Sequence, residues 1–131
     1  MNETPVQQRV RVRASELNVT LWRNNSGACY DDTGRLIRYG LANDSKEMNA
    51  VIKSSDLIGI TPLVITPDMV GQTIGVFTAI ETKASDWTRQ PGDKRAEAQA
   101  KFHDIVQRNG GFAGFASSPN DVATITRRQG G

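Results

Sequence analysis

Two apolar runs, about twenty residues apart, constrain this chain most, because each carries charge where a buried strand should carry none. The first reads Ser54-Ser55-Asp56-Leu57-Ile58-Gly59-Ile60 and the second Phe77-Thr78-Ala79-Ile80-Glu81-Thr82-Lys83. Residues i and i+2 of a strand point to one face, so Glu81 and Lys83 share a face. If the two strands pair, Asp56 can sit beside them. Two carboxylates and a lysine at the end of a hydrophobic sheet are expensive to hold there. A divalent metal gives a reason to keep them.

Around these runs the pattern alternates between helix and strand. Val10, Ala14, Leu17 and Leu21 recur at helical spacing, and Thr4-Pro5 suits a cap and first turn, so a helix is expected over 4–21. Carried backwards, its apolar stripe lands on Gln7 and Glu3. A short strand is expected near 20–24, then a hairpin with arms at 28–30 and 35–39 around the turn Asp32-Thr33-Gly34. Residues 43–53 suit a short helix capped by Asn43 or Asp44. Strands are expected over 56–65 and 74–84, the second apolar on both faces as a central strand would be. A helix is expected over 93–109, burying Ala98, Phe102, Ile105 and Val106 and stopped by Gly110-Gly111. A strand over 112–116 and a last helix from Ser118-Pro119 to about Thr126 complete the order. The class this implies is α/β, a sandwich around one central mixed sheet, in a single domain over 1–131.

Composition narrows the chemistry. Cys29 and His103 are each the only residue of their kind, which excludes a disulfide framework, a cysteine-based zinc site and most histidine triads. A lone cysteine, and a polar, charged stretch from Met1 to Arg13, fit a cytoplasmic protein with no membrane partner. The net charge of +2 is modest, yet Arg9, Arg11, Arg13 and Arg23 gather early, Lys94, Arg95 and Lys101 late, and Arg127-Arg128 near the end. Such clusters fit phosphate contacts or, equally, a solvated face.

Phosphodiester hydrolysis needs a metal, oxygen ligands to hold it and a cation near the nucleophile or the developing charge. Mg²⁺ takes one or two carboxylates with water and phosphate oxygens. Asp56 and Glu81 are the candidate ligands, the Thr82 carbonyl could add an oxygen, and Lys83 would orient or help deprotonate the attacking water. Gln99 borders the apolar stripe of its helix, so its amide needs partners, for which the end of the sheet is a plausible place.

The pattern Asp56…Glu81-Thr82-Lys83 resembles the PD-(D/E)XK nuclease signature. With Glu3-Thr4-Pro5-Val6-Gln7, Trp22-Arg23-Asn24-Asn25-Ser26-Gly27, Ser54 to Gly59, Gln99 and Gly110-Gly111-Phe112-Ala113-Gly114, it resembles the virus-type replication-repair nuclease domain. The small stand-alone phage and bacterial members are the nearest in pattern. The resemblance runs from Glu3 to about Val122, and its motifs are specific as an ordered set rather than singly. Many members carry proline before the aspartate, where this chain has Ser55.

The resemblance implies a restriction-endonuclease-like fold, dependence on Mg²⁺ or Mn²⁺, and cleavage of branched DNA such as Holliday junctions by a homodimer. It makes Asp56 and Glu81 metal ligands, Lys83 the catalytic lysine, Gln99 the motif glutamine and Glu3 an acid sent to the site by the first helix, with Glu16 as the alternative acid. Arg23, Asn24, Gln7, Arg9 and Arg13 are the expected DNA contacts. Leu57, Val64, Ile65 and Phe115 are apolar residues available for a dimer interface. Two alternatives stay open: a related nuclease acting on flaps, nicked or linear duplex, and a DNA-binding module without catalysis.

Overall fold

The computed structural model describes residues 3–128, with side chains from residue 5 onward. Its class is mixed α/β, and it divides into two compact units between Gly59 and Ile60. No helix among the described residues is long and apolar enough to cross a membrane.

The first unit opens with α1 (Glu3–Glu16), which leads into β1 (Thr20–Arg23). The helix is shorter than the apolar spacing predicts because its end is capped locally. The Val19 amide bonds the Ala14 carbonyl at 2.8 Å, the Asn18 amide bonds that of Ser15 at 3.2 Å, and Asn18 takes a left-handed φ of 60°. This is a Schellman end with asparagine at the left-handed position. Of the expected stripe only Ala14 is buried within α1, while Val10 stays exposed.

The hairpin forms as expected, from β2 (Gly27–Tyr30) and β3 (Leu36–Tyr39), with Gly27 opposite Tyr39 and Tyr30 opposite Leu36. Its turn is tied by Asp31, whose Oδ1 accepts from the Thr33 hydroxyl and from the Thr33 and Arg35 amides. The buried Asn43 amide then donates to the Gly27 and Tyr39 carbonyls at 2.8 and 2.9 Å, closing the hairpin's open end. The helix α2 (Lys46–Val51) is capped by Ser45, whose Oγ accepts from the Met48 amide, rather than by Asn43 or Asp44.

Next comes β4 (Leu57–Ile60), which pairs with β1. Gly59 is required there, since a Cβ at this position would lie 1.7 Å from the Thr20 carbonyl oxygen. The strand stops far short of residue 65. Pro62 has no amide to give a ladder, and Val64 and Ile65 are 84% and 64% exposed.

The second unit is organised by a crossover. After a single 3-10 turn at Pro67–Met69 comes β5 (Thr78–Thr82), then α3 (Lys94–Arg108), then β6 (Phe112–Ala116) and α4 (Asp121–Ile125). β5 and β6 run parallel, Thr78 opposite Phe112 and Thr82 opposite Ala116. Parallel neighbours need a long connection, and α3 supplies it while packing on both strands. Asp93 caps α3 by accepting from the Ala96 amide at 3.0 Å. Gly110, at a φ of 90°, ends it in the same Schellman geometry as α1, with the Gly111 amide on the Val106 carbonyl.

Among the described residues the strands pair as three two-stranded ladders, β1 with β4, β2 with β3 and β5 with β6, within the expected α/β class; one central mixed sheet was expected. The buried stripe of α3 is Ala96, His103 and Val106 with half-buried Gln99 and Ile105; of the expected face Val106 and Ile105 hold, while Ala98 and Phe102 are exposed. Phe102 is 38% exposed and His103 only 7%.

Candidate functional site

The last residues of β5 and the buried stripe of α3 meet in the second unit. Glu81 and Lys83 lie two apart on one face of the strand, and Gln99 is the α3 residue that faces them. Lys83 Nζ donates to Gln99 Oε1 at 2.8 Å, and Gln99 Nε2 donates to Glu81 Oε1. The amide's orientation follows from chemistry: its oxygen suits the ammonium and its NH₂ suits the carboxylate, whereas the flipped form would place like against like. Gln99 thus links an acid and a base through its own dipole. The bond engages one carboxylate oxygen of Glu81 and leaves Oε2 as an oxygen donor.

The lysine is fixed at its other end too. Its backbone amide bonds the Ala116 carbonyl at 2.8 Å, one step past the last strand pair. Its ammonium stands 5.2 Å from the centre of the Trp87 ring and 5.6 Å from that of Phe115, within reach of a cation–π attraction to each. The two rings are 5.0 Å apart, and His103 meets Phe115 edge-on at 4.7 Å. Phe115 thus touches the lysine, Trp87 and His103 inside this unit. Burial lowers the His103 pKa from its ordinary value of 6.5, against a weaker upward pull from the Glu81 carboxylate.

Glu81, Gln99 and His103 also line an open pocket of about 400 Å³ with Arg95, Ala98 and Phe102. Arg95, Gln99 and His103 are spaced four apart, so they form one stripe along α3. Sequence reasoning gave no role to Trp87 or His103. The signal for His103 was its place one helical turn beyond Gln99. Trp87 offered none, since it lies in a loop whose path the pattern does not fix.

Asp56 belongs to the first unit. It is exposed, directly before β4, so the cost of burying charge applies to Glu81 and Lys83 and not to it. Asn24, directly after β1, donates from Nδ2 to Ser54 Oγ at 2.9 Å and to the Ser55 carbonyl at 2.8 Å. The Asn24 backbone N–H donates to the Asp56 carbonyl at 2.8 Å. Among the other expected DNA contacts, Arg23, Arg9 and Arg13 are exposed and Gln7 is half-buried. Arg13 pairs with Glu16 at 3.1 Å, which occupies the alternative acid. The Glu3 side chain lies outside the described residues.

In the second unit the donors on offer to a metal are the Glu81 carboxylate and the Thr82 carbonyl, and in the first unit the Asp56 carboxylate. The Lys83 amide and the Phe77 carbonyl both bond toward β6, so strand alternation turns the Thr82 carbonyl to the other edge of β5. Among the described residues no three of His, Cys, Asp and Glu gather as a protein cage would require. An all-oxygen set of few protein donors fits Mg²⁺ or Mn²⁺, which complete their shells with water and phosphate oxygens. No protein-family model, curated protein or solved structure matches the chain.

Proposed function

We propose that this chain is a Mg²⁺- or Mn²⁺-dependent endodeoxyribonuclease that hydrolyses phosphodiester bonds in branched DNA, four-way junctions first among them. The reading groups it with the virus-type replication-repair nucleases. The observation that carries it is the Lys83–Gln99–Glu81 bridge at the end of β5. An acid and a lysine two apart on a strand recur by chance. An amide arriving from a separate helix to join them is a further condition, and the resemblance named that amide in advance.

In this reading the Glu81 carboxylate and the Thr82 carbonyl would hold the cation, and the resemblance adds Asp56 as a ligand. When bound, the cation supplies Lewis-acid stabilisation of the charge that builds on the phosphate. The chain's own groups do the rest. Gln99 holds the Glu81 carboxylate by one oxygen and so sets where the other points. Lys83, held between the amide and two rings, presents a fixed positive charge where the attacking water is oriented. Arg23, Arg9 and Arg13 are the phosphate contacts that fix the DNA's register. A homodimer offers two such sites to two strands; a 14.3 kDa mass in solution rather than twice that would remove this part of the reading.

The test is cleavage of a labelled four-way junction beside matched linear duplex in Mg²⁺, Mn²⁺ or EDTA, with wild type and Lys83→Ala. The expected result is metal-dependent cutting that prefers the junction and that Lys83→Ala abolishes without loss of junction binding. Equal cutting of linear duplex would shift the substrate to ordinary duplex. Tight binding with no cutting in either metal would leave a binding module.

A further inference from the structure

Asn24 has the sequence context of a phosphate contact, following Arg23 in a turn-like stretch, but its hydrogen bonds are those of a clamp. A side-chain amide has two N–H donors. Here one goes to Ser54 Oγ and the other to the Ser55 carbonyl, at 2.9 and 2.8 Å. What remains on the side chain is Oδ1, an acceptor, turned toward the Leu41 amide at 3.5 Å. An acceptor repels a phosphate oxygen. The backbone amide of the same residue takes the Asp56 carbonyl at 2.8 Å. One residue therefore fixes Ser54, Ser55 and Asp56 in succession.

Asp56 needs such a fixture. Its side chain is exposed, so packing does not hold it, and Ser55 stands where a proline would have stiffened the chain. A ligand carried on loose backbone loses its geometry and costs entropy on every binding event. We infer that Asn24 is the positioning residue of Asp56, fixing the backbone from which the carboxylate reaches a divalent cation. The inference rests on the metal-dependent reading above and adds to it a residue that touches neither metal nor DNA.

The test uses the full chain without DNA, then with junction DNA in EDTA. Asn24→Asp keeps size and the Oδ1 acceptor, and replaces the donor aimed at the Ser55 carbonyl by an oxygen. Mn²⁺ affinity by titration calorimetry should fall about 10- to 100-fold, as for other residues that orient a ligand, while junction affinity in EDTA changes less than about twofold. A fall in junction affinity with Mn²⁺ affinity intact would make Asn24 a DNA contact and overturn the inference; so would no change in either. Ser54→Ala removes one acceptor of the clamp with little threat to folding and should weaken Mn²⁺ in the same direction. Unchanged Mn²⁺ affinity in this variant also overturns the inference. Asp56→Asn separates the two claims. If it binds Mn²⁺ as wild type does, the metal reading has failed at Asp56 and the positioning role falls with it. If it loses Mn²⁺ while both clamp variants keep it, only the positioning role falls.

Discussion

At Gln99 a side chain's two ends face opposite charges, and the orientation can be tested by reversing one end. Gln99→Glu turns the donor aimed at Glu81 into a second carboxylate beside it, while giving Lys83 a full counter-charge. Two adjacent carboxylates cannot both keep charge at no cost, so one moves or takes a proton. Under the proposed nuclease reading, single-turnover junction cutting at saturating Mn²⁺ should fall about 10- to 100-fold, with the circular dichroism spectrum unchanged. Wild-type cutting would show the bridge to be idle. Gln99 was legible in the sequence because an amide beside an apolar stripe must find partners. The true stripe was less so. Phe102 scores as core by hydropathy, but the helix turns His103 and Gln99 inward, to groups at the end of β5 and on β6 that no local pattern records. The aromatic walls of the lysine site, Trp87 and Phe115, are likewise set by tertiary contact alone.

Elements were legible where their ends carry their own chemistry. Gly110 after α3 and Asp93 before it mark that helix to within a residue, and Asp31 to Gly34 mark the hairpin turn. The strand lengths were overestimated because apolar runs continue past the point where backbone pairing stops, as at Thr61-Pro62 after β4. The end of α1 shows the same lesson in reverse: Leu17 and Leu21 continue the helical spacing, yet Asn18 ends the helix. Asn18 is one of the few residue types that adopt a positive φ at low cost. Asn18→Val should therefore destabilise the protein by about 1–2 kcal/mol, read as a lower urea midpoint at unchanged slope. Asn18→Gly should match wild type closely, since glycine has no Cβ to clash. An equal loss in both variants would mean that the side chain, not the φ, matters here.

Across the whole molecule the sequence order of helices and strands is as expected, while which strands pair, in three ladders among the described residues, was not legible, because pairing between distant segments depends on geometry beyond the reach of local pattern. The charge ledger of the fold is also a whole-molecule property, and two groups give it a testable shape. Burial holds the folded pKa of His103 below its ordinary 6.5, so between the two values the unfolded chain binds more protons than the folded one. Stability then rises with pH in that window. The contribution is present above pH 6.5 and is lost as pH falls toward the folded pKa. Asp31 is also lowered, first by the Thr33 hydroxyl and then by the Arg35 amide, from 3.8, so its contribution survives until pH drops below that value. Melting of the metal-free protein should therefore show a first loss of Tm as pH falls below 6.5 and a further one as it falls below 3.8. His103→Phe keeps a ring against Phe115 and removes the titrating group. It should flatten the loss that begins below 6.5 and leave the more acid limb in place. An unchanged slope just below that value in His103→Phe would assign the first loss to some other group and would mean that His103 is not held neutral by the fold.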